Sequence, residues 1–252
     1  MVKNILKNGF FIFQKGFNYS QDGPGNRLVY HLSGCNLFCP WCSNPEGLEK
    51  GGNATFVAVE DIIKEAESCR MMFFDGGGIT FTGGECSLQK NELLTVIREL
   101  KNNGFHTCIE TNVSLKNCEE LYSEVDYMIA DCKCADSEVL KKVTGADFTT
   151  VYNNLLFRAK SKKPLLIRIP LIKGFNTGSK NAELLVDSFF KIKNESKSEN
   201  LFFEILTYHE FGKEKYKKLG KEYKVNDAFV SKDDVLTLKN ALIKNNLKII
   251  TT

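Results

Sequence analysis

Nowhere does the sequence hold the roughly 20 consecutive apolar residues that a helix needs to cross a bilayer. Residues Met1 to Lys15 lack a basic stretch followed by an apolar one, so no secretory leader is expected. The expectation is a soluble, cytoplasmic chain with no membrane partner. Charge of one sign is also scarce. The formal net charge is +3 over 252 residues, too small to imply nucleic-acid binding without a basic patch. No internal repeat, low-complexity tract or linker-like stretch interrupts the chain, so residues 1–252 are expected to form a single domain. The remaining composition is that of a folded protein, 42% hydrophobic and 26% charged. Cysteine is the exception. There are nine, and in a reducing compartment clustered thiols favour metal or redox chemistry over disulfides.

Short apolar runs alternate with amphipathic helical stretches. Strand-like segments are Phe10–Phe13, Arg27–Leu32, Gly78–Thr82, His106–Thr111, Tyr127–Asp131, Leu165–Ile172, Leu201–Leu206 and, last, Leu247–Thr251. Helical spacing marks Val59–Ala66, Glu92–Lys101, Ser137–Val143, Ala182–Ile192 and Asp233–Ile243. Strand–helix alternation implies a parallel sheet with helical crossovers. About six such units predict an α/β fold, a complete or partial (β/α) barrel. Gly83-Gly84-Glu85, Glu110-Thr111-Asn112, Asp131-Cys132-Lys133 and Tyr208-His209 fall at the C-terminal ends of the predicted strands, the end where such barrels build active sites.

The most specific local signal is in residues 34 to 47, where Cys35, Cys39 and Cys42 have CxxxCxxC spacing within one loop. Thiolates suit zinc or iron–sulfur sites, and a closed site of either kind needs four ligands. Here three are local and no fourth is near. One reading is a four-iron cluster with one iron left open for a substrate. The other is zinc, completed by a distant Cys or His. The other cysteines, Cys69, Cys108, Cys118, Cys132 and Cys134, show no CxxC grouping and read as core or surface thiols. Cys86 either is buried or faces the cofactor.

The loop resembles that of the radical S-adenosylmethionine (SAM) superfamily, and further motifs narrow the resemblance to the activating enzymes of glycyl radical enzymes. Asp22-Gly23-Pro24-Gly25 with Arg27 resembles DGPGxR, and residues 77–85 resemble GGVTFSGGE. Asp131 and Lys133 resemble the DxK strand end, and residues 168–174 resemble RxPLIPG. Tyr208-His209, Gly212, Lys215 and Tyr216 resemble YHxxGxxKY. The motifs come in the family's order and cover roughly residues 9 to 223.

This resemblance implies a radical SAM core, a partial (β/α)6 TIM-like barrel, with a 4Fe-4S cluster on Cys35, Cys39 and Cys42. One electron into the cluster would cleave S-adenosylmethionine to methionine and a 5′-deoxyadenosyl radical, which takes a hydrogen atom from a glycine of a partner glycyl radical enzyme. Flavodoxin or ferredoxin would donate the electron, and the activase would be a monomer. Gly83, Gly84 and Glu85 would receive the methionine ammonium group, the glycines because no Cβ blocks close approach. Glu110, Thr111 and Asp131 would flank the ligand carboxylate and hold a monovalent cation, Glu110 replacing the more usual aspartate. Lys133 would offer its charge to Asp131 or to the ligand. Arg168, a guanidinium in an apolar run, needs a carboxylate partner, either the methionine carboxylate or Asp131. His209 would contact the ligand and Trp41 would lie against adenine or cluster. Asp22 would meet the incoming glycine loop. The lysine-rich residues 213–224 read as a solvated helix face.

Ser43-Asn44-Pro45-Glu46 resembles the segment that, in many relatives, precedes a cysteine-rich ferredoxin-like insert. Only Gly47 to Thr55 follow here, without cysteine, so the insert is absent. Two alternatives compete with the activase: a radical SAM enzyme acting on a small molecule, such as a deazapurine-forming synthase, and a non-catalytic zinc module.

Overall fold

A computed structural model describes residues 8–252. Residues 1–7, on which part of the leader expectation rests, lie outside the described residues. In chain order the strands are β1 (Gly9–Tyr19), β2 (Asn26–Leu32), β3 (Thr55–Ala58), β4 (Gly78–Gly83), β5 (His106–Thr111), β6 (Tyr127–Asp131), β7 (Leu165–Leu171), β8 (Leu201–Thr207) and β9 (Lys248–Ile249). The helices are α1 (Val59–Ser68), α2 (Lys90–Asn102), α3 (Glu119–Glu124), α4 (Ser137–Thr144), α5 (Phe148–Lys160), α6 (Ser179–Ser196), α7 (Lys213–Lys218) and α8 (Lys232–Lys244).

All nine strands form one sheet in the order β3-β1-β2-β4-β5-β6-β7-β8-β9. From β2 onward every pairing is parallel. The order is linear and does not close, so this is the partial barrel anticipated: six full parallel strands and the short β9. Two antiparallel strands, β1 and β3, extend its edge. No helix among the described residues is long and apolar enough to cross a membrane.

Side chains of a strand alternate between its faces. One face packs on the helices through Leu28, Tyr30, Ile79, Phe81, Ile109, Met128, Ile167 and Phe203, all in the main core. The other face of the same strands carries Thr80, Thr82, Glu110, Asp131, Arg168 and Glu204. Lower down that face, Cys108, Ile129 and Leu166 form a small apolar floor with Phe202 and Ile250 packed on it.

Helix ends follow local chemistry. Asp136 caps α4 at Glu138 N and Val139 N, and Gly145 ends it at φ 86°. Ser231 and Asp234 form a capping box on α8. Sequence patterning missed α5, whose opening Thr149, Thr150 and Val151 favour strands. Its helix is secured by the Asp147 cap and by Arg158, fully buried, whose guanidinium donates to the carbonyls of Tyr122, Val125, Asp126 and Pro164 at 2.6–3.0 Å. Patterning also missed β3 and α3. The final strand is only Lys248–Ile249.

Arg27 locks the β1–β2 hairpin to the sheet. Fully buried, it donates to Thr80 Oγ1 at 2.6 Å, Ile79 O at 2.8 Å and Pro24 O at 3.0 Å. It also meets His106 Nδ1 at 3.2 Å. Burial, and then the Arg27 charge, push the His106 imidazole down from 6.5 to about 4. The unfolded chain therefore binds this proton first as pH falls. The full contribution is present above pH 6.5 and is lost as pH falls through about 4. Denaturant titrations should show stability dropping across that window by about 3 kcal/mol, a slope that His106→Gln should flatten.

Candidate active site

The C-terminal ends of the parallel strands surround a cavity of about 260 Å³. The cysteine loop covers it, contributing Cys35, Leu37, Cys39, Trp41, Cys42 and Asn44. Strand ends supply Thr82, Gly83, Gly84, Glu110, Thr111, Asn112, Asp131, Lys133, Pro170, Tyr208 and His209. Of the fourteen residues expected at the site, this cavity gathers eleven. Asp22, Glu85 and Arg168 do not line it.

The cysteine loop is fixed mainly through its backbone. Gly34 N donates to Gly47 O at 2.8 Å, Cys35 N to Leu48 O at 3.1 Å and Glu85 N to Gly34 O at 2.7 Å. A Cβ on Gly84 would strike the carbonyl oxygens of Gly34 and Gly47, and one on Gly83 would strike Leu32. These glycines thus let β4 approach β2 and the loop, a packing role beyond the ligand approach anticipated. From the far side, Gly212 lies on the carbonyl of Cys42, where a Cβ would collide. Lys215 donates to Asn44 Oδ1 at 2.8 Å and pairs with Glu46 at 2.8 Å, and Lys221 pairs with Glu49 at 2.7 Å. Tyr216 is buried. The expectation of a merely solvated lysine-rich face is corrected here: α7 turns Lys215 and Tyr216 onto the loop, while the exposed lysines around them face solvent.

Burial raises the Cys35 and Cys39 thiols to about 11 and also raises Cys42; the nearby Lys133 opposes this at all three. Lys133 donates to Asp131 at 2.6 Å, the first of its two expected partners. Burial works against the Lys133 charge, but Asp131 and the thiols Cys39 and Cys35 outweigh it, so its pKa is raised. A fixed cation beside three thiol groups favours their ionised, metal-binding form.

Arg168 does not pair with Asp131, one of its two expected partners. Its Nη1 donates to Glu110 at 2.7 Å and its Nε to Glu204 at 2.8 Å. Asp131 is already taken by Lys133. Glu204 escaped the sequence reading, although an acid in the apolar run of β8 calls for a partner by the same logic as Arg168. Glu110 also accepts from Thr82 Oγ1 at 3.0 Å. Thr111 Oγ1 donates to Glu85 at 2.7 Å. Both Glu110 oxygens and one Asp131 oxygen are thus bonded to protein donors, and Arg168 and Lys133 bring positive charge to these carboxylates.

Glu85 is fully buried. Its carboxylate accepts from Ser87 N at 2.9 Å, Thr111 Oγ1 at 2.7 Å and Asn112 N at 2.7 Å. It braces the ends of β4 and β5 and does not line the cavity. Cys86 is likewise buried, against the Glu110 carbonyl. Trp41 packs on Phe175 with centroids 4.6 Å apart, and His209 stacks on Phe211 at 4.1 Å. Asp22 accepts from the Asn18 amide, and its carbonyl accepts from Thr80 Oγ1 at 2.7 Å.

Four thiolates around one zinc ion sit about 3.8 Å apart, from Zn–S bonds of about 2.3 Å in a tetrahedron. Among the described residues no three His, Cys, Asp or Glu side chains are gathered closely enough to hold a single metal ion. Cys35, Cys39 and Cys42 line one cavity, and three thiols with no fourth ligand beside them suit a cluster that keeps one iron open. The model of the Radical SAM superfamily matches residues 29–182. The chain belongs to the radical SAM superfamily. It is 31% identical over 224 residues to the pyruvate formate-lyase-activating enzyme of Staphylococcus aureus strain USA300, covering 85% of this chain and 87% of that one.

Solved structures share the fold. A domain of pyruvate-formate lyase-activating enzyme from Bacteroides vulgatus aligns with TM-score 0.55 and 24% identity, over 69% of this chain and 98% of that chain. Streptococcus suis SuiB bound to its precursor peptide SuiA aligns with TM-score 0.64 and 16% identity, over 89% of this chain and 48% of that one. As a radical SAM protein the chain uses a 4Fe-4S cluster and S-adenosylmethionine. Two outcomes follow. Replacing Cys35, Cys39 or Cys42 by alanine should abolish the roughly four irons per chain of a reconstituted cluster, while Cys86, Cys132 and Cys134 variants should keep them. Gly212→Ala should also lower iron content, because its Cβ displaces Cys42 from a distance of many residues; iron assay and visible absorbance check both.

Proposed function

We propose that the chain is a glycyl radical enzyme activase that abstracts a hydrogen atom from a glycine of a partner protein. The similarity to a pyruvate formate-lyase-activating enzyme over most of both chains carries this reading. The ordered motifs support it, since each meets the cavity or braces its walls. When bound, the cluster and S-adenosylmethionine supply the electron transfer and the 5′-deoxyadenosyl radical.

The chain's own residues bind, orient and shield. Cys35, Cys39 and Cys42 present the cluster's thiolates. Gly83 and Gly84 offer main chain to the methionine end of the ligand, held in place by the buried Glu85. Lys133, steadied by Asp131, meets the ligand carboxylate. Trp41 and His209 give flat, partly apolar surface to the adenine. Arg168 acts through Glu110, which lines the cavity. Asp22, on the β1–β2 hairpin, is the residue this reading assigns to the incoming glycine loop. The reading includes one domain, a monomeric activase in the cytoplasm, and flavodoxin or ferredoxin as electron donor, all carried by the resemblance.

The carboxylate contact makes Lys133→Ala the sharper cofactor test. Calorimetry should show S-adenosylmethionine binding weakened roughly ten- to a hundredfold, as the loss of a charge-assisted hydrogen bond implies, with cluster absorbance unchanged. The activity itself is tested by anaerobic electron paramagnetic resonance with a candidate glycyl radical enzyme from the same source. A partner-borne doublet that collapses on deuteration of glycine is expected. Turnover of a small molecule with no such signal would replace the activase by a small-molecule enzyme.

A further inference from the structure

Glu204 does not line the cavity, yet it is almost fully buried and both its oxygens are used. Oε2 accepts from Arg168 Nε at 2.8 Å. Oε1 accepts from Thr252 N at 2.8 Å and Thr252 Oγ1 at 2.9 Å. The same guanidinium reaches three other places. Nη1 donates to Glu110 at the cavity wall, and Nη2 donates to the Gln21 carbonyl on the hairpin and to Thr252 Oγ1 at 3.2 Å. Arg168 and Glu204 sit directly opposite each other in the parallel register of β7 and β8.

The hairpin between β1 and β2 has three carbonyls tied to inward-facing side chains of three strands. Arg27 of β2 holds Pro24, Thr80 of β4 holds Asp22, and Arg168 of β7 holds Gln21. Of these, only the Arg168 tie also touches a cavity-lining group, Glu110. A guanidinium fixed at one end by Glu204 has one orientation. Without that anchor it can follow Glu110 alone, and the hairpin loses its link to the cofactor side. Stability does not by itself call for such a group, because a buried ion pair is often matched by apolar residues of similar volume.

We infer that Glu204 is a positioning residue for the reaction: by orienting Arg168 it fixes the hairpin at residues 20–25 to the wall of the cofactor cavity. This rests on the activase reading for its effect on the partner, since that reading places the hairpin where the glycine loop enters. The linkage itself does not depend on who the partner is.

The test uses reconstituted holoenzyme and three variants. Glu204→Ala removes the anchor, Glu204→Met removes it while filling its volume, and Glu204→Gln keeps the shape and one acceptor oxygen, enough for Arg168 Nε, while giving up the bond from the Thr252 amide. Amide hydrogen exchange at residues 20–25, measured without any partner, should accelerate on the order of tenfold in Glu204→Ala and Glu204→Met and stay near wild type in Glu204→Gln, the scale of one lost charge-assisted contact. With a glycyl radical enzyme as substrate, KM for that protein should rise about as much, while kcat and KM for S-adenosylmethionine change less. Unchanged hairpin exchange in both anchorless variants overturns the linkage. So does faster exchange that Glu204→Gln shares equally. If exchange responds as expected but no glycyl radical forms with any variant or with wild type, the linkage stands and the activase reading fails. Faster exchange with an unchanged KM for the partner overturns the positioning role. Glu204→Met keeps the test open should Glu204→Ala fail to fold.

Discussion

Alternation of side chains along parallel strands is the constraint from which the rest of this molecule follows. Each parallel strand, β2 and β4 to β8, must satisfy an apolar helical layer with one set of side chains and line an open lumen with the other. An ordinary buried parallel sheet would read as apolar on both faces. Here the second face carries Arg27, Thr80, Thr82, Glu110, Asp131, Arg168 and Glu204, and these pair with one another in the lumen. Cys108, Ile129 and Leu166 form a small apolar floor on the same face. Function is therefore confined to one end of the sheet by the same periodicity that builds the core.

A short loop with three cysteines cannot hold its own shape, because it has neither helix nor ladder for its backbone groups. It is held by segments distant in sequence: the carbonyl and amide contacts of β4's end, and Gly212, Lys215 and Tyr216 from beyond β8. This explains why the residues of the YHxxGxxKY-like segment are spaced as they are. Tyr208 and His209 reach the cavity. Three residues on, Gly212 meets Cys42. A further turn brings Lys215 and Tyr216 over the loop's return path. The motif is a brace as much as a ligand contact.

Much of this was legible in the residues alone. Strands β5 and β6 fall where the apolar pattern placed them, and all three cysteines, Asp131 and Lys133 meet at one cavity. What was not legible depends on register and on competition between partners. Arg168 was recognisable as needing an acid, but which acid depends on the pairing of β7 with β8 and on Lys133 having claimed Asp131 first. Glu85 sits in a segment that resembles a ligand-binding one, yet the hydroxyl of Thr111 and the amides of Ser87 and Asn112 draw its carboxylate inward. Helix α5 was hidden because its first residues prefer strands and its stability comes from Arg158 and a cap.

The lumen's charges do not balance. Glu110, Glu204, Asp131 and Asp22 face Arg168, Lys133 and Arg27 around the cavity and beneath it, four acids against three cations. Burial raises the Glu110 carboxyl; Arg168 counters this, while Asp22 and Asp131 add to it. Like charges in a closed site are costly, so the arrangement favours an occupant that brings positive charge. S-adenosylmethionine is such an occupant, because its sulfonium and ammonium groups outnumber its one carboxylate. Its neutral thioether product would lack the sulfonium charge and meet the same acids with less compensation. The wall beneath the cavity thus favours the reactive form of the cofactor through charge alone, before any contact to its shape is made.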